Sequence, residues 1–286
     1  MRLVHSVPLA NGSTTFFLPK SQIGNIIVEY TPVAAAAVTL VRADYGTAIL
    51  NWNGRDVVNT DVEILNLLDN IYGGVAEFTP AVAALSRLTM VIPCGQWFDP
   101  LNVYDIGEKD QVSIKLNFGN LASAAFVASG SCNIYIKTKI GVMNYLHNII
   151  ARPVVVAGAS TLADTYPVNN ISQVYLKAPT ILTRAQIMKD GETIVDAPTA
   201  SINAYSDWIH LLETTNTTIA IEFGESKDIR ENLGSQVQYQ YTFSGAGTLN
   251  QYFSFIEFTP NKAAESKARA ASKLARQAGN TAQPQL

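Results

Sequence analysis

Apolar and β-branched residues alternate with polar ones in short runs along most of the first 260 residues. Runs of this kind, separated by turn-forming residues, are typical of β-strands. The pattern predicts strands at residues 14–18, 26–31, 37–43, 90–92, 111–118, 132–139, 172–176, 193–196, 217–223, 236–243 and 252–258. Because long helical segments between these strands are missing, the sequence predicts an all-β sandwich or barrel.

Helical periodicity is confined to a few places. Thr60-Asp-Val-Glu63 has the spacing of a capping box and precedes apolar residues at helical spacing as far as Tyr72. Thr79-Pro80 has the pattern of a helix N-terminus, which predicts a helix over residues 81–88. Another short helix and an alanine-rich C-terminal one are predicted around Ile202–Leu212 and over residues 261–277.

The two halves of the chain carry the same signals in the same order. In the first half a strand-like run at residues 39–43 precedes Asn53-Gly54 and then a helix. In the second half a run at residues 181–185 precedes Asp190-Gly191 and then a helix. In each half a further strand, a glycine and a last matching strand follow, ending at Phe118 in the first half and Phe243 in the second.

We interpret this order as two copies of one β-sandwich domain. The sequence places the first copy at residues 1–143 and the second at residues 144–260. Residues 261–286 are then a separate basic, alanine-rich helix with a disordered end.

Composition excludes several classes of protein. With 48% hydrophobic and 15% charged residues the chain is too apolar to be disordered, and its net charge of -3 does not favour electrostatic binding of nucleic acid. Cys94 and Cys132 form neither a disulfide framework nor a zinc spacing, and both are predicted to be buried. Three scattered histidines offer little material for catalysis, so no enzyme is predicted. Neither a signal peptide nor a membrane span is predicted, and we expect synthesis in a cytoplasm.

One motif carries a resemblance to a known family. Ile92-Pro-Cys-Gly-Gln-Trp-Phe-Asp-Pro-Leu101 combines a strand end, a Pro and Gly, and an aromatic and acidic loop. With the tandem organisation of residues 1–260, it resembles the double jelly-roll major capsid proteins of tailless icosahedral viruses, particularly bacterial viruses with an internal membrane.

The resemblance implies two tandem eight-stranded jelly-roll sandwiches with a few short helices. It also implies that three chains form a pseudo-hexameric capsomer, which tiles an icosahedral shell over an internal lipid membrane. The partners would be further copies of the chain, minor capsid and vertex proteins and the inner membrane, with no sequence-specific nucleic acid. The protein would be located in the virion capsid after synthesis in the host cytoplasm.

The C-terminal segment carries a concentrated positive charge. Five basic residues and one acidic residue, Glu265, give it a net charge of +4. We predict that this tail faces the membrane or the genome, since basic helices bind anionic headgroups and phosphates. Docking on a neighbouring capsomer and a solvated terminus are the alternatives. The basic residues are Lys262, Lys267, Arg269, Lys273 and Arg276.

A cluster of acidic residues is a candidate metal site. Asp99, Asp105, Glu108 and Asp110 lie in one loop region, and several oxygen ligands in a flexible loop are suited to Ca²⁺. The spacing is not that of an EF-hand, so a solvated loop is the alternative. No cofactor other than this ion is predicted.

Aromatic residues support a second functional class. Trp97-Phe98, together with Trp52 and Trp208, could form a carbohydrate- or ligand-binding surface on a β-sandwich. Packing in the core or between subunits is the other interpretation. A double-barrel enzyme of the cupin type is a third class, but His5, His147 and His210 lie in unrelated contexts.

Overall fold

The computed structural model describes residues 1–33, 41–71, 78–79, 87–94, 101–122, 130–166, 171–177, 181–189, 191–202, 218–222 and 237–259. Strands account for most of these residues. In the first half they are β1 (Arg2–Pro8), β2 (Ser13–Phe17), β3 (Gln22–Thr31), β4 (Thr47–Trp52), β5 (Arg55–Asp61), β6 (Phe78–Thr79), β7 (Arg87–Pro93), β8 (Tyr104–Asp105), β9 (Val112–Asn117) and β10 (Ser131–Thr138).

The second half contributes eight more strands. They are β11 (Tyr145–Val156), β12 (Ser160–Thr165), β13 (Ile171–Lys177), β14 (Leu182–Lys189), β15 (Glu192–Pro198), β16 (Thr218–Glu222), β17 (Val237–Phe243) and β18 (Gly247–Phe258). The helices are α1 (Val62–Ile71), three 3₁₀ helices at Leu9–Asn11, Arg42–Tyr45 and Gly119–Ala122, and a helical stretch over residues 199–202.

Both halves have the same strand order, which is that of a jelly roll. In the first half, β1-β10-β3-β7 form one sheet and β2-β9-β4-β5 the facing strands. In the second half, β11-β18-β13-β16 and β12-β17-β14-β15 repeat this order strand for strand. The fold is therefore all-β, with two tandem eight-stranded jelly-roll sandwiches, and β6 and β8 are additions to the first roll.

Each roll has its own apolar core, produced by inward-facing residues at every second strand position. Ile26, Val28 and Tyr30 of β3 belong to the first core and are fully buried. Val174 and Leu176 of β13 belong to the second core and are buried as completely. The repeat in the sequence therefore corresponds to two separately packed interiors.

The equivalent hairpins β4–β5 and β14–β15 confirm part of the sequence repeat. The Asn53-Gly54 turn has positive φ angles of 53° and 86°, and Gly191 has a φ of 85° at the equivalent turn. The strand that precedes the first turn is β4, however, not residues 39–43. Of that predicted run, residues 39 and 40 lie outside the described part, and Arg42 and Ala43 are in a 3₁₀ helix.

The predicted helices are partly corrected. Helix α1 exists, but the capping box at Thr60 is wrong because Thr60 ends up within β5, where its buried hydroxyl has no hydrogen-bond partner. The predicted helix over residues 81–88 is wrong at its end, since Leu88 lies in β7, and residues 81–86 lie outside the described part. Of the helix around Ile202–Leu212 only Ile202 is described, and it is helical. None of the helices in the described ranges has the length and hydropathy needed to cross a bilayer.

Candidate assembly surfaces

The two rolls are joined by backbone pairing between β5 and β11. These strands run parallel, with Val58 opposite Ile149 and Asn59 opposite Ile150. The pairing links β2-β9-β4-β5 of the first roll to β11-β18-β13-β16 of the second in one eight-stranded sheet. We call the contact between the rolls along β5 and β11 the seam. The shared sheet fixes the angle between the rolls, because the hydrogen bonds along the seam would break if one roll turned against the other.

Side chains strengthen this seam between the rolls. Tyr252 of β18 donates a hydrogen bond of 2.6 Å to Asp61 of β5. The Nζ atom of Lys177, on β13, lies 2.9 Å from Glu63 and 3.3 Å from Asp61. Burial works to lower the pKa of Lys177, but the hydrogen bonds and charges of the two acids outweigh it and raise that pKa. At the exposed end of the seam Arg55 Nη1 donates to Glu257 Oε1 at 3.0 Å.

The sheet β11-β18-β13-β16 is covered on both faces. Tyr175 and Tyr252, on the face turned to the first roll, belong to the first roll's core. Val174 and Phe253, their direct neighbours in sequence, point the other way and belong to the second core. The first roll therefore occupies the outer face of this sheet.

A buried polar network lies in the same sheet, close to the seam. His147 Nε2 lies 2.7 Å from the Ser254 hydroxyl, and Ser172 donates to the Ser254 carbonyl at 3.0 Å. The Tyr104 hydroxyl, from the first roll, donates to the His147 carbonyl at 3.2 Å. Burial lowers the pKa of His147 to about 4, so the imidazole is neutral near pH 7.

Asn102 connects the first roll to the start of the second. Its side-chain carbonyl accepts hydrogen bonds from the backbone N–H groups of Asn144 (2.7 Å) and Tyr145 (3.2 Å), and its amide donates to the carbonyls of Tyr145 and Cys94. Sequence reasoning missed Asn102, Lys177 and His147, since nothing in the local pattern reveals partners that are far away in the chain.

The equivalent sheet of the first roll, β1-β10-β3-β7, has no second roll on its outer face within the described part of the single chain. The strand register aligns Leu3, Tyr135, Ile27 and Val91 in one row across the four strands. Leu3 is half exposed, and the other three are partly buried. Next to this row Glu29 accepts a hydrogen bond from the Tyr135 hydroxyl at 3.1 Å and pairs with Arg87. The row is therefore an apolar band with polar margins.

The predicted acidic cluster is only partly described, because Asp99 lies outside the described residues. Asp105 and Glu108 are exposed. Both carboxylate oxygens of Asp110 accept hydrogen bonds, from Asn53 Nδ2 at 2.8 Å and from the Gly107 N–H at 2.9 Å, and these bonds lower the pKa of Asp110. Across the described ranges, no three His, Cys, Asp or Glu side chains are grouped to hold a metal ion. The calcium site stays a prediction.

The aromatic and cysteine predictions have different outcomes. Trp52 packs edge to face on Tyr104 at 5.6 Å and against the first core, which confirms the packing interpretation for that residue. Trp97, Phe98 and Trp208 lie outside the described residues. Both cysteines are buried and unpaired by disulfides, as predicted, and burial raises the pKa of Cys132 to about 12.

The basic tail also lies outside the described residues, including Lys262, Lys267, Arg269, Lys273 and Arg276. The last described residue, Thr259, is held by a hydrogen bond of 2.9 Å from its N–H to the Asn144 carbonyl. Asn144 belongs to the linker between the rolls, residues 139–144, and three strongly exposed apolar residues lie in this linker or bond to it. They are Leu101 (62% exposed), Ile140 (91%) and Val142 (61%), with the Val142 N–H bonded to the Leu101 carbonyl.

No protein-family model and no curated protein sequence matches the chain. Solved structures do match it. A chain in the atomic structure of Sulfolobus turreted icosahedral virus aligns over 96% of this chain and 97% of its own length, with a TM-score of 0.70 and 11% identity. The major capsid protein of bacteriophage PM2 aligns over 90% and 95%, with a TM-score of 0.62 and 13% identity.

The capsid of the virus PBCV-1 gives a third match, over 89% of this chain and 91% of the other, with a TM-score of 0.58 and 10% identity. At such low identities the likeness establishes the fold. The chain therefore has the double jelly-roll fold of these viral proteins, as its sequence predicted. The matched proteins named as capsid proteins are structural proteins rather than enzymes.

Proposed function

We propose that the chain is a major capsid protein, which assembles with further copies of itself into a viral shell. The observation that carries the proposal is the parallel pairing of β5 with β11, which fixes two equivalent jelly rolls side by side in one chain. Two similar rolls held at a constant angle form a rigid unit, which presents nearly equivalent edges to neighbouring copies. The match over almost the full length of viral capsid structures supports the same role.

The assembly unit is a trimer with pseudo-sixfold symmetry. Three chains bring together six rolls, and six similar units around one axis can tile a hexagonal lattice. A head-to-tail contact that closes after a full turn produces a ring rather than a filament. The location that follows from this function is the virion capsid.

The shell lies over a lipid membrane, and the basic tail faces that membrane. In support, Thr259, the last described residue before the tail, bonds to Asn144 of the linker between the rolls, and the same linker carries the exposed Ile140 and Val142, with Val142 bonded to the exposed Leu101. Exposed apolar side chains next to a basic segment are a combination that binds the surface of an anionic bilayer. Contact of the tail with packaged nucleic acid is the alternative, and its phosphates would attract the same charges.

Electron microscopy of the purified protein tests this function. Concentrated protein is mixed with vesicles of phosphatidylcholine and phosphatidylglycerol and stained. The expected result is shells or sheets with a hexagonal lattice whose unit has the volume of three chains. Discrete single particles under all conditions, combined with binding to immobilised glycans, would contradict the capsid function and support a carbohydrate-binding β-sandwich.

A further inference from the structure

We infer that the contact between the two rolls of one chain is repeated between chains. In this contact, β15 of one copy adds in parallel to β1 of the next copy, and the outer face of β1-β10-β3-β7 receives the neighbour's second roll. The inference rests on the proposed capsid function and names the surface by which a second copy of the chain docks.

Unpaired strand edges are the first observation. Within the chain, the seam joins β5, an outer strand of the first roll, to β11, an outer strand of the second. The strands equivalent to β5 and β11 are β15 and β1, and among the described strands each lies at the edge of its sheet without a partner on one side. An open edge presents unpaired N–H and C=O groups that can pair with another chain. The two free edges are thus the counterparts of the two that the seam already joins.

Burial at equivalent positions is the second observation. The hairpins β4–β5 and β14–β15 share one bulge, since Leu50 faces Val58 and Ile187 faces Val195 directly before a register shift in each. Val57 is therefore equivalent to Ile194. Val57 is fully buried in the first roll, whereas Ile194 is 41% exposed in the second. A second copy of the chain that covers β15 would explain why the apolar Ile194 lies exposed on this edge strand.

The outer face of β1-β10-β3-β7 shows the same difference in burial between equivalent residues. Tyr252 and Tyr175 are cross-strand partners on the outer face of the second roll's sheet, and the first roll buries both. Their equivalents are Tyr135 and Ile27, which are cross-strand partners on the outer face of β10 and β3. No other described element packs a second roll on this face, and the half-exposed Leu3 lies opposite Tyr135.

Charge identifies the occupant as the second roll of another copy. Lys177 meets the acids Asp61 and Glu63 across the seam. The register places Glu29 at the position equivalent to Lys177, because these residues face Asn133 and Asn250 respectively. Asp61 faces Thr47, and its equivalent Pro198 faces Arg184. An acid therefore stands where the seam has the cation Lys177, and the basic residue opposite Pro198 is Arg184. Within one chain Glu29 pairs with Arg87, and Arg184 pairs with Asp196 at 2.7 Å. In the contact between copies Glu29 of one copy meets Arg184 of the next.

The same equivalence gives a register for the strand pairing. Ala151 faces Tyr252 as Leu3 faces Tyr135, so Arg2 is equivalent to Ile150. Since Ile150 lies opposite Asn59 in the seam, Arg2 of one copy lies opposite Asp196 of the next. This places Arg2 opposite an acid that also pairs with Arg184 of its own chain. Complementary charges at such a contact favour the correct partner over a contact between two identical rolls.

A disulfide cross-link tests the register. Neighbouring strands lie about 4.8 Å apart, within the range that a disulfide spans between Cα atoms. The double variant Arg2→Cys with Asp196→Cys should form covalent trimers on non-reducing gels, and each single variant should stay monomeric there, because the contact is head to tail. The native Cys94 and Cys132 are buried and give little background. Uncross-linked double variant that still forms trimers by light scattering would overturn the inference.

Charge variants keep the inference testable if the cysteine variant does not assemble. Arg184→Glu should weaken trimer formation at least tenfold, and adding Glu29→Lys should recover most of the loss. The matched control is Lys115→Glu, an equal charge reversal on the exposed face of β9. Equal assembly of Arg184→Glu, the double variant and wild type would overturn the inference while leaving the capsid function standing. Failure of the wild type to form trimers or shells would instead contradict the proposed function.

Discussion

The hydroxyl of Tyr252 donates a hydrogen bond of 2.6 Å to the carboxylate of Asp61, although the two residues lie 191 positions apart in the chain. Asp61 ends β5 in the first roll, and Tyr252 lies in the middle of β18 in the second. Lys177 adds an ion pair to each of Asp61 and Glu63 at the same place. The two rolls are therefore held by a polar anchor as well as by a shared sheet.

Removing the cation from this anchor should destabilise the protein. Lys177→Met deprives two acids of their counter-charge, and the Glu63 side chain is only 7% exposed. Breaking a buried ion pair from one side costs several kcal/mol, so for this partly exposed pair we expect a loss of about 2 kcal/mol in the free energy of unfolding. Urea denaturation measures it.

The control for this variant is Arg55→Met, which removes an ion pair of the same seam at its exposed end. The side chains of Arg55 and Glu257 are 54% and 46% exposed. An exposed pair contributes less than about 1 kcal/mol. Equal decreases in the free energy of unfolding for the two variants would show that burial does not make the Lys177 ion pairs more stabilising than the exposed pair.

Acid should destabilise the protein through His147. Burial lowers the pKa of His147 to about 4, below its ordinary value of 6.5. As the pH falls below 6.5, the unfolded chain binds a proton that the folded protein does not, so stability decreases until the pH reaches about 4. A shift of this size corresponds to a loss of about 3 kcal/mol.

The variant His147→Gln should abolish most of this pH dependence between pH 7 and pH 4.5. Denaturation curves at several pH values, compared with wild type, provide the measurement. His5→Gln serves as the control, because His5 lies in β1 and is only partly buried. Unchanged pH dependence in His147→Gln would refute the assignment.

Substitution of Asp110 should weaken the loop between β8 and β9 without any metal. Asp110→Asn loses the charge that accepts hydrogen bonds from Asn53 and Gly107. We expect a lower Tm, and the same decrease in Ca²⁺ and in chelator.

Asp99→Asn with Asp105→Asn tests the predicted calcium site, since the Tm of this double variant should fall only when Ca²⁺ is present. An equal decrease under chelator would remove the calcium prediction.

Deletion of residues 261–286 should leave the rolls folded but remove binding to anionic vesicles. Each basic residue near such a surface contributes about 1 kcal/mol, so loss of five should weaken vesicle binding at least a hundredfold. Flotation with phosphatidylglycerol vesicles measures the binding, and an unchanged Tm shows that folding is intact. A full-length variant with its five basic tail residues replaced by Gln is the control for charge. Undiminished flotation of the truncated chain would refute the role of the tail.

The repeated order of signals was enough to predict two copies of one β-sandwich domain, because turns such as Asn53-Gly54 depend on local backbone conformation. That each copy is a jelly roll was implied by the family resemblance. The position of β4 could not be predicted in this way. The run at residues 39–43 has strand-like residues, but Asp44 accepts a hydrogen bond from the Val41 N–H and Arg42 donates one to Asn66 of α1. These bonds accompany a 3₁₀ helix there, and the bond to Asn66 depends on a residue more than twenty positions away.

The seam was beyond prediction for a similar reason. Lys177 reads in the sequence as the polar end of a strand, and Asp61 as part of a helix cap. Only the pairing of β5 with β11 brings them within hydrogen-bonding distance. Sequence periodicity reports which side of a strand is buried, but not which other strand covers it.

The mass of the native protein in solution tests the central claim most directly. Light scattering across a wide range of concentrations should give a species of three times the chain mass of 30.9 kDa, which grows into sheets or shells as concentration rises. A strict monomer at every concentration, with no larger species on anionic vesicles, would contradict the account of this chain as a capsid subunit.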